Sequence, residues 1–142
     1  MVVLIGGVNM IKIDKELDKV KLLCGFQSKL LIGPVVLQYL EEHMDFEIIG
    51  YAWDENLPPI TALVGGNMLR QINVLYNEDN NLVILKTIIP GAGSEYKIAD
   101  LVGEIAKKIN VEKILYIDGM QASDDHDRDI YYIGDDSLAE EK

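Results

Sequence analysis

The segment from Leu82 to Ile117 constrains this chain more than any other. A near-continuous apolar run, Leu82 to Ile89, meets Pro90-Gly91-Ala92-Gly93-Ser94, and a second strand pattern follows at Val111 to Ile117. Between them Ile98, Leu101, Val102, Ile105, Ala106 and Ile109 recur at three- and four-residue spacing, which is one face of a helix. Lys97, Asp100, Glu104, Lys107 and Lys108 take the other face, and Glu104 with Lys108 forms a favourable i,i+4 pair. Ser94 is suited to the N-cap and Asn110 to the stop. A strand, an amphipathic helix and a second strand in that order pack as a parallel crossover on a sheet.

The rest of the chain repeats the alternation. Val20 to Phe26 reads as a buried strand ending at a glycine. After Gln27-Ser28-Lys29, the residues Leu31, Ile32, Val35, Val36, Tyr39, Leu40 and His43 predict a helix, with Ser28 available as a cap and Pro34 early, where a missing N–H costs least. Phe46 to Ala52 is the next strand. Asn56-Leu57-Pro58-Pro59 is an extended connection. A hairpin of Ile60–Val64 and Met68–Tyr76 around Gly65-Gly66-Asn67, then Leu82–Ile89 after a second turn, makes a β-meander insert. Gln121 to Asp129 is a polar loop and Ile130 to Ile133 a short strand. These elements predict one α/β domain over 1–142, with an N-terminal strand or arm at 1–19 and an acidic tail at 137–142. Right-handed crossovers place the helices on a mixed sheet with a parallel centre.

Composition narrows the function classes. The 142 residues are 49% hydrophobic and 26% charged, which suits a folded domain and excludes wholesale disorder. Their net charge of −11 repels phosphate backbones and anionic headgroups, so neither nucleic acid nor a membrane surface is an expected partner. The apolar runs fall short of the ~20 residues of a membrane span, and the N-terminus lacks the basic flank and cleavage site of a signal peptide. The single cysteine, Cys24, cannot form an internal disulfide, which points to a reducing cytoplasm.

Three features are candidates for chemistry. Gly91, Gly93 and Ser94 lie between a strand and a helix N-terminus, where anions bind. The plainer reading is a tight turn, because Tyr96 stands where a dinucleotide fingerprint needs its third glycine and no Gly-Lys-Ser/Thr follows. Asp124-Asp125-His126-Asp127-Arg128-Asp129 resembles part of a calcium loop, yet Ile130 occupies the position that needs glycine, so a solvated acidic loop and no metal is expected. Cys24 has no histidine in a recognisable order beside it and reads as a small buried hydrophobe. His43 suits the C-terminal end of its helix. No catalytic residue and no cofactor are expected. Trp53, Tyr131 and Tyr132 are candidate anchors for a protein partner, and Leu57, Pro58 and Pro59 form a pre-shaped connection of the kind used in recognition.

These residues resemble a known family. Leu22-Leu23-Cys24-Gly25-Phe26, then Gly33-Pro34-Val35-Val36 with Tyr39-Leu40, is similar to the opening of the proteasome assembly chaperone family. Leu57-Pro58-Pro59, the meander closing at Pro90, the helix after Ser94, Ile114 to Gly119 and Asp129 to Asp136 follow in that family's order. The resemblance implies a nucleoside-phosphorylase-like α/β scaffold that self-associates and binds protein subunits, among them proteasome α subunits, without catalysis. The family's hydrophobic-Tyr-x tail is not carried over, since the sequence ends Glu140-Glu141-Lys142. The rival reading is a small-molecule enzyme, an ATP-dependent ligase or phosphorylase-like hydrolase, with an anion site at Gly91–Ser94 and Asp118 or Glu95 as base.

Overall fold

The crossover demanded by residues 82–117 is present in the computed structural model, which describes residues 2–6, 9–26, 28, 30–88, 93–121 and 134. The elements in chain order are β1 (Val2–Gly6), β2 (Asn9–Ile13), β3 (Val20–Cys24), α1 (Ile32–His43), β4 (Glu47–Asp54), β5 (Ala62–Val64), β6 (Asn67–Leu69), β7 (Ile72–Asn77), β8 (Leu82–Thr87), α2 (Glu95–Lys108) and β9 (Val111–Tyr116). Among the described residues seven strands form one mixed sheet in the order β1-β2-β4-β7-β8-β3-β9, and β5 with β6 forms a separate two-stranded ribbon. The chain is thus an α/β fold. Its parallel pairs, β8 with β3 and β3 with β9, lie toward one end of the sheet; the other neighbours are antiparallel.

Chain direction explains the layering. From β3 the chain passes through α1 to β4, toward the β1 edge, whereas from β8 it passes through α2 to β9, toward the opposite edge. Right-handed crossovers running in opposite directions put their helices on opposite faces. The packing agrees, because side chains alternate across each strand. Leu22, Cys24, Val74, Val83 and Leu85 face Ile98, Leu101, Ile105 and Ile109 of α2, while Leu23, Leu75 and Ile84 face Leu37 and Leu40 of α1. The α2 side is much the larger core. Glu95 in the first turn of α2 and Lys107 and Lys108 in its last complement the helix dipole. Asn110, at φ 53°, ends the helix where the sequence placed the stop.

Local departures from the sequence reading have visible causes. Ser28 does not cap α1: its hydroxyl donates to Asp118 Oδ1 at 2.6 Å, and the capping position falls to Leu31 in the left-handed region, φ 54°. The segment from Met68 to Tyr76 is not one strand. Asn73 accepts from the Arg70 N–H at 2.9 Å and donates to the Arg70 carbonyl at 2.8 Å, which folds the chain back between β6 and β7. The 1–19 arm contains the antiparallel pair β1 and β2, joined to the sheet through β4.

Candidate functional site

β3 and β8 are adjacent parallel strands whose chains leave in opposite directions, so a topological switch point lies at their carboxyl ends. Open α/β sheets place binding crevices there. The segment after β3 is tightly fitted. Gly25 and Gly33 meet backbone to backbone, and a methyl group on Gly33 would lie 2.6 Å from the Gly25 Cα and 2.7 Å from the Ile117 carbonyl oxygen. The Ile117 N–H donates to the Cys24 carbonyl at 2.8 Å, continuing the parallel pairing past β9. Asp118 accepts from Ser28 and from the Gly119 N–H at 2.7 Å, so this carboxylate ties the β3 and β9 ends together.

Beside the switch point, between β3, β9 and α2, an apolar cavity of about 290 Å³ is lined by Cys24, Phe26, Glu95, Ile98, Ala99, Val102, Ile114 and Tyr116. The Phe26 and Tyr116 rings lie 6.1 Å apart, tilted at 45°. Burial pushes the Cys24 thiol up to about 12, so almost none is thiolate at neutral pH. Relative to an ordinary thiol near 8.5, alkylation of native Cys24 by iodoacetamide at pH 8 is expected to run roughly a thousandfold slower, with ordinary reactivity in 8 M urea. A native rate equal to the unfolded one would refute the assignment. Burial, the negative charges of Asp118 and a Cys24 thiolate raise the Tyr116 phenol above its ordinary value, against a smaller lowering by the Phe26 backbone.

The other expected site residues fall in separate places. Gly91, Tyr131, Tyr132 and the Asp124–Asp129 loop lie outside the described residues. Gly93 is exposed at φ +83°, and Ser94 occupies the N-cap of α2 without a side-chain cap bond. Leu57 is in the core. Trp53 and Pro59 come together with Ile60, Thr61, Arg70 and Gln71 around a shallow, largely polar recess. Sequence reasoning missed Gln71, which builds that corner. Its Oε1 accepts from the Asp54 N–H at 2.8 Å, and its Nε2 donates to the Leu57 and Pro58 carbonyls at 3.3 and 3.0 Å. Asp54, fully buried, accepts from the Asn56 N–H at 2.7 Å and faces Lys97 Nζ of α2 at 3.3 Å. No signal in the sequence marks Gln71, because its partners are backbone groups made neighbours by the fold.

The second feature sequence reasoning left unassigned is the outer side of α1. Gly33 and Leu37 turn inward, whereas Ile32, Val35 and Tyr39 face solvent, Val35 at 63% and Tyr39 at 60% exposure. Tyr39 stacks on His43 at 4.0 Å, and His43 Nδ1 donates to the Tyr39 carbonyl at 2.8 Å. Exposed Leu30 and Leu31 precede the stripe, and Leu30 and Ile32 close over Gly119, beside the exposed Met120. Among the described residues no cluster of three or more His, Cys, Asp or Glu is placed to hold a metal ion, and no helix is long and apolar enough to cross a membrane.

A mixed sheet between two helices, with an apolar outer helix face and an apolar cavity beside the switch point, defines an α/β fold. Residues 22–142 match the model of the PAC2 family, and the chain belongs to that family, the proteasome assembly chaperone family whose motif order the sequence resembles. Similar solved structures include Pyrococcus furiosus PbaA, described as an archaeal homolog of proteasome-assembly chaperone. It is 21% identical with a TM-score of 0.64, over 76% of this chain and 47% of that one. Its monoclinic form is 22% identical with a TM-score of 0.67, over 82% and 49%. A Thermoplasma acidophilum protein of unknown function is 18% identical with a TM-score of 0.61, over 70% and 42%. The chain thus matches less than half the length of each of these structures. No match is found among curated proteins.

Proposed function

We propose that the chain is a non-catalytic scaffold of the proteasome-assembly-chaperone type, which assists the assembly of proteasome α subunits in the cytoplasm and acts as a homo-oligomer. Family membership supports the chaperone-like role. The observation that carries the reading is the solvent-facing stripe of Ile32, Val35 and Tyr39 on α1, continuous with Leu30, Leu31 and Met120. Buried against a partner, such side chains are the kind that concentrate binding energy, Tyr above all. The Trp53–Pro59 recess is a second contact candidate, and Tyr131 and Tyr132 belong to the same proposal. The net charge of −11 would steer the scaffold toward a basic surface, so association should slow as salt rises.

The test is capture of proteasome α subunits by the tagged chain from extract of its own source. Val35→Asp combined with Tyr39→Ser should reduce capture at least tenfold. Both residues are exposed, so stability should change by only about 0.5 kcal/mol per site. Absence of any α subunit from the wild-type capture would overturn the assignment.

A further inference from the structure

The Trp53–Pro59 recess is built on two buried side-chain amides. Gln71 fixes the Asp54, Leu57 and Pro58 backbones on one side. On the other, Asn73 clamps both backbone groups of Arg70. Arg70 is therefore displayed from a held turn. The sequence has one other arginine, Arg128, which lies outside the described residues. Lys12, Lys15, Lys86 and Lys97 each face a carboxylate. The Arg70 guanidinium instead stacks on the Tyr51 ring at 4.2 Å, and among the described residues it meets no hydrogen-bond acceptor. Stacking uses the face of the guanidinium and leaves its five donors at the edge. The neighbouring carboxylate, Asp54, is fully buried and engaged by Lys97 and the Asn56 N–H.

The rest of the lining decides what such an edge can hold. The recess encloses about 210 Å³ between Trp53, Pro59, Ile60, Thr61, Arg70 and Gln71. The Gln71 amide is taken up by the backbone, whereas the Trp53 indole N–H and the Thr61 hydroxyl have no partner among the described residues. The groups left over can all donate, which suits an anion. A planar carboxylate matches the guanidinium edge as a bidentate pair. A phosphate dianion fits less well, because a net charge of −11 repels two charges twice as strongly as one. Trp53, Pro59 and Ile60 add apolar surface beside the donors. A polypeptide C-terminus carries its carboxylate and its last side chain on one carbon, so both reach one small recess. In an extended internal segment, a Glu side chain points away from the side of its immediate neighbours. Resting on the protein-binding reading above, we infer that this recess receives the C-terminus of a partner polypeptide. Its carboxylate sits on Arg70, and an apolar last side chain rests against Trp53 and Ile60. The overall charge steers toward a basic partner surface, and Arg70, of opposite sign, sets the register on it.

Trp53 is the only tryptophan in the sequence, so its fluorescence reports on the recess. The whole chain is titrated with N-acetyl-Gly-Gly-Leu as the free acid, the same peptide as its amide, N-acetyl-Gly-Glu-Leu-Gly-amide, and acetate. The free acid should bind about tenfold more tightly than any of the others, the scale of a hydrogen bond to a charged group. Arg70→Gln should erase that preference, and Arg70→Lys, which keeps the charge and loses the fork, should recover only part of it. Asn73 holds the backbone of residue 70, so the turn should survive both changes, which unaltered thermal unfolding checks. Thr61→Glu, at an exposed position, should weaken the acid about tenfold by like-charge repulsion and leave the amide unchanged. Equal binding of acid and amide, or a preference that survives Arg70→Gln, would overturn the inference. Tighter binding of the internal-Glu peptide would do the same, and acetate matching the acid would make the recess a small-anion site. If the acid fails while the chain still captures proteasome α subunits, this receptor is wrong and the scaffold stands. If the acid binds as expected and capture fails, the receptor stands and the proteasome assignment falls.

Discussion

Gly33→Ala is expected to destabilise the protein by about 3 kcal/mol, near the upper end for overpacking a tight site, which lowers Tm by about 10 °C in a domain of this size. The added methyl would meet the Gly25 Cα at 2.6 Å and the Ile117 carbonyl oxygen at 2.7 Å. These are backbone atoms, and no side-chain rotation relieves the overlap. The damage should reach three elements at once: the exit of β3, the start of α1 and the end of β9. Gly103→Ala is the control. A methyl there meets nothing within 4 Å, and removing a glycine from the interior of α2 should raise stability by about 0.5–1 kcal/mol. Thermal unfolding of both variants decides the matter. A Gly33→Ala protein that melts with the wild type would mean that the close packing of these loops is wrong.

Gln71→Leu is expected to cost about 3 kcal/mol, although leucine is of similar size and more apolar. One amide group serves three backbone groups, the Asp54 N–H and the Leu57 and Pro58 carbonyls. A buried group left without a partner costs about 1–3 kcal/mol, and the turn at Pro58 is open enough to recover part of that from water. Urea unfolding reads the total. Hydrogen exchange separates this cause from general weakening: the Asp54 amide should lose protection first, while amides of β8 keep theirs. An unchanged Asp54 amide would show that the bracket does not hold this corner.

Sequence alone located the elements whose physics is local. α2 was legible to within a residue at each end, because its apolar stripe, Ser94 and Asn110 all agree. The buried alternation of Leu22, Leu23 and Cys24 likewise marked a strand covered on both faces. Properties that depend on distant partners were not legible. The apolar residues of α1 were counted together, and no pattern says that Leu37 meets the sheet while Val35 and Tyr39 face outward. The break between β6 and β7 depends on Asn73 bonding back to Arg70, where the sequence shows only a run of strand-like residues. Strand order was invisible for the same reason, and with it the displacement of the parallel pairs toward β9. Trp53 and Pro59 were named from sequence and line one recess, but Gln71, which joins the Asp54 and Leu57–Pro58 backbones beside it, was not.

The two layers flanking the sheet bury apolar surface unequally, α2 over a broad core and α1 through Leu37 and Leu40, helped by the Gly25–Gly33 contact and the Lys86–Glu41 ion pair. Sub-global opening should therefore begin with α1, which peels away at a free energy well below that of full denaturation. A subunit clamped over that helix would act as a brace, slowing its amide exchange throughout. Occupancy would then register as a local rigidity change that propagates to the Gly25–Gly33 junction, and through it to the rim where β3 and β9 end.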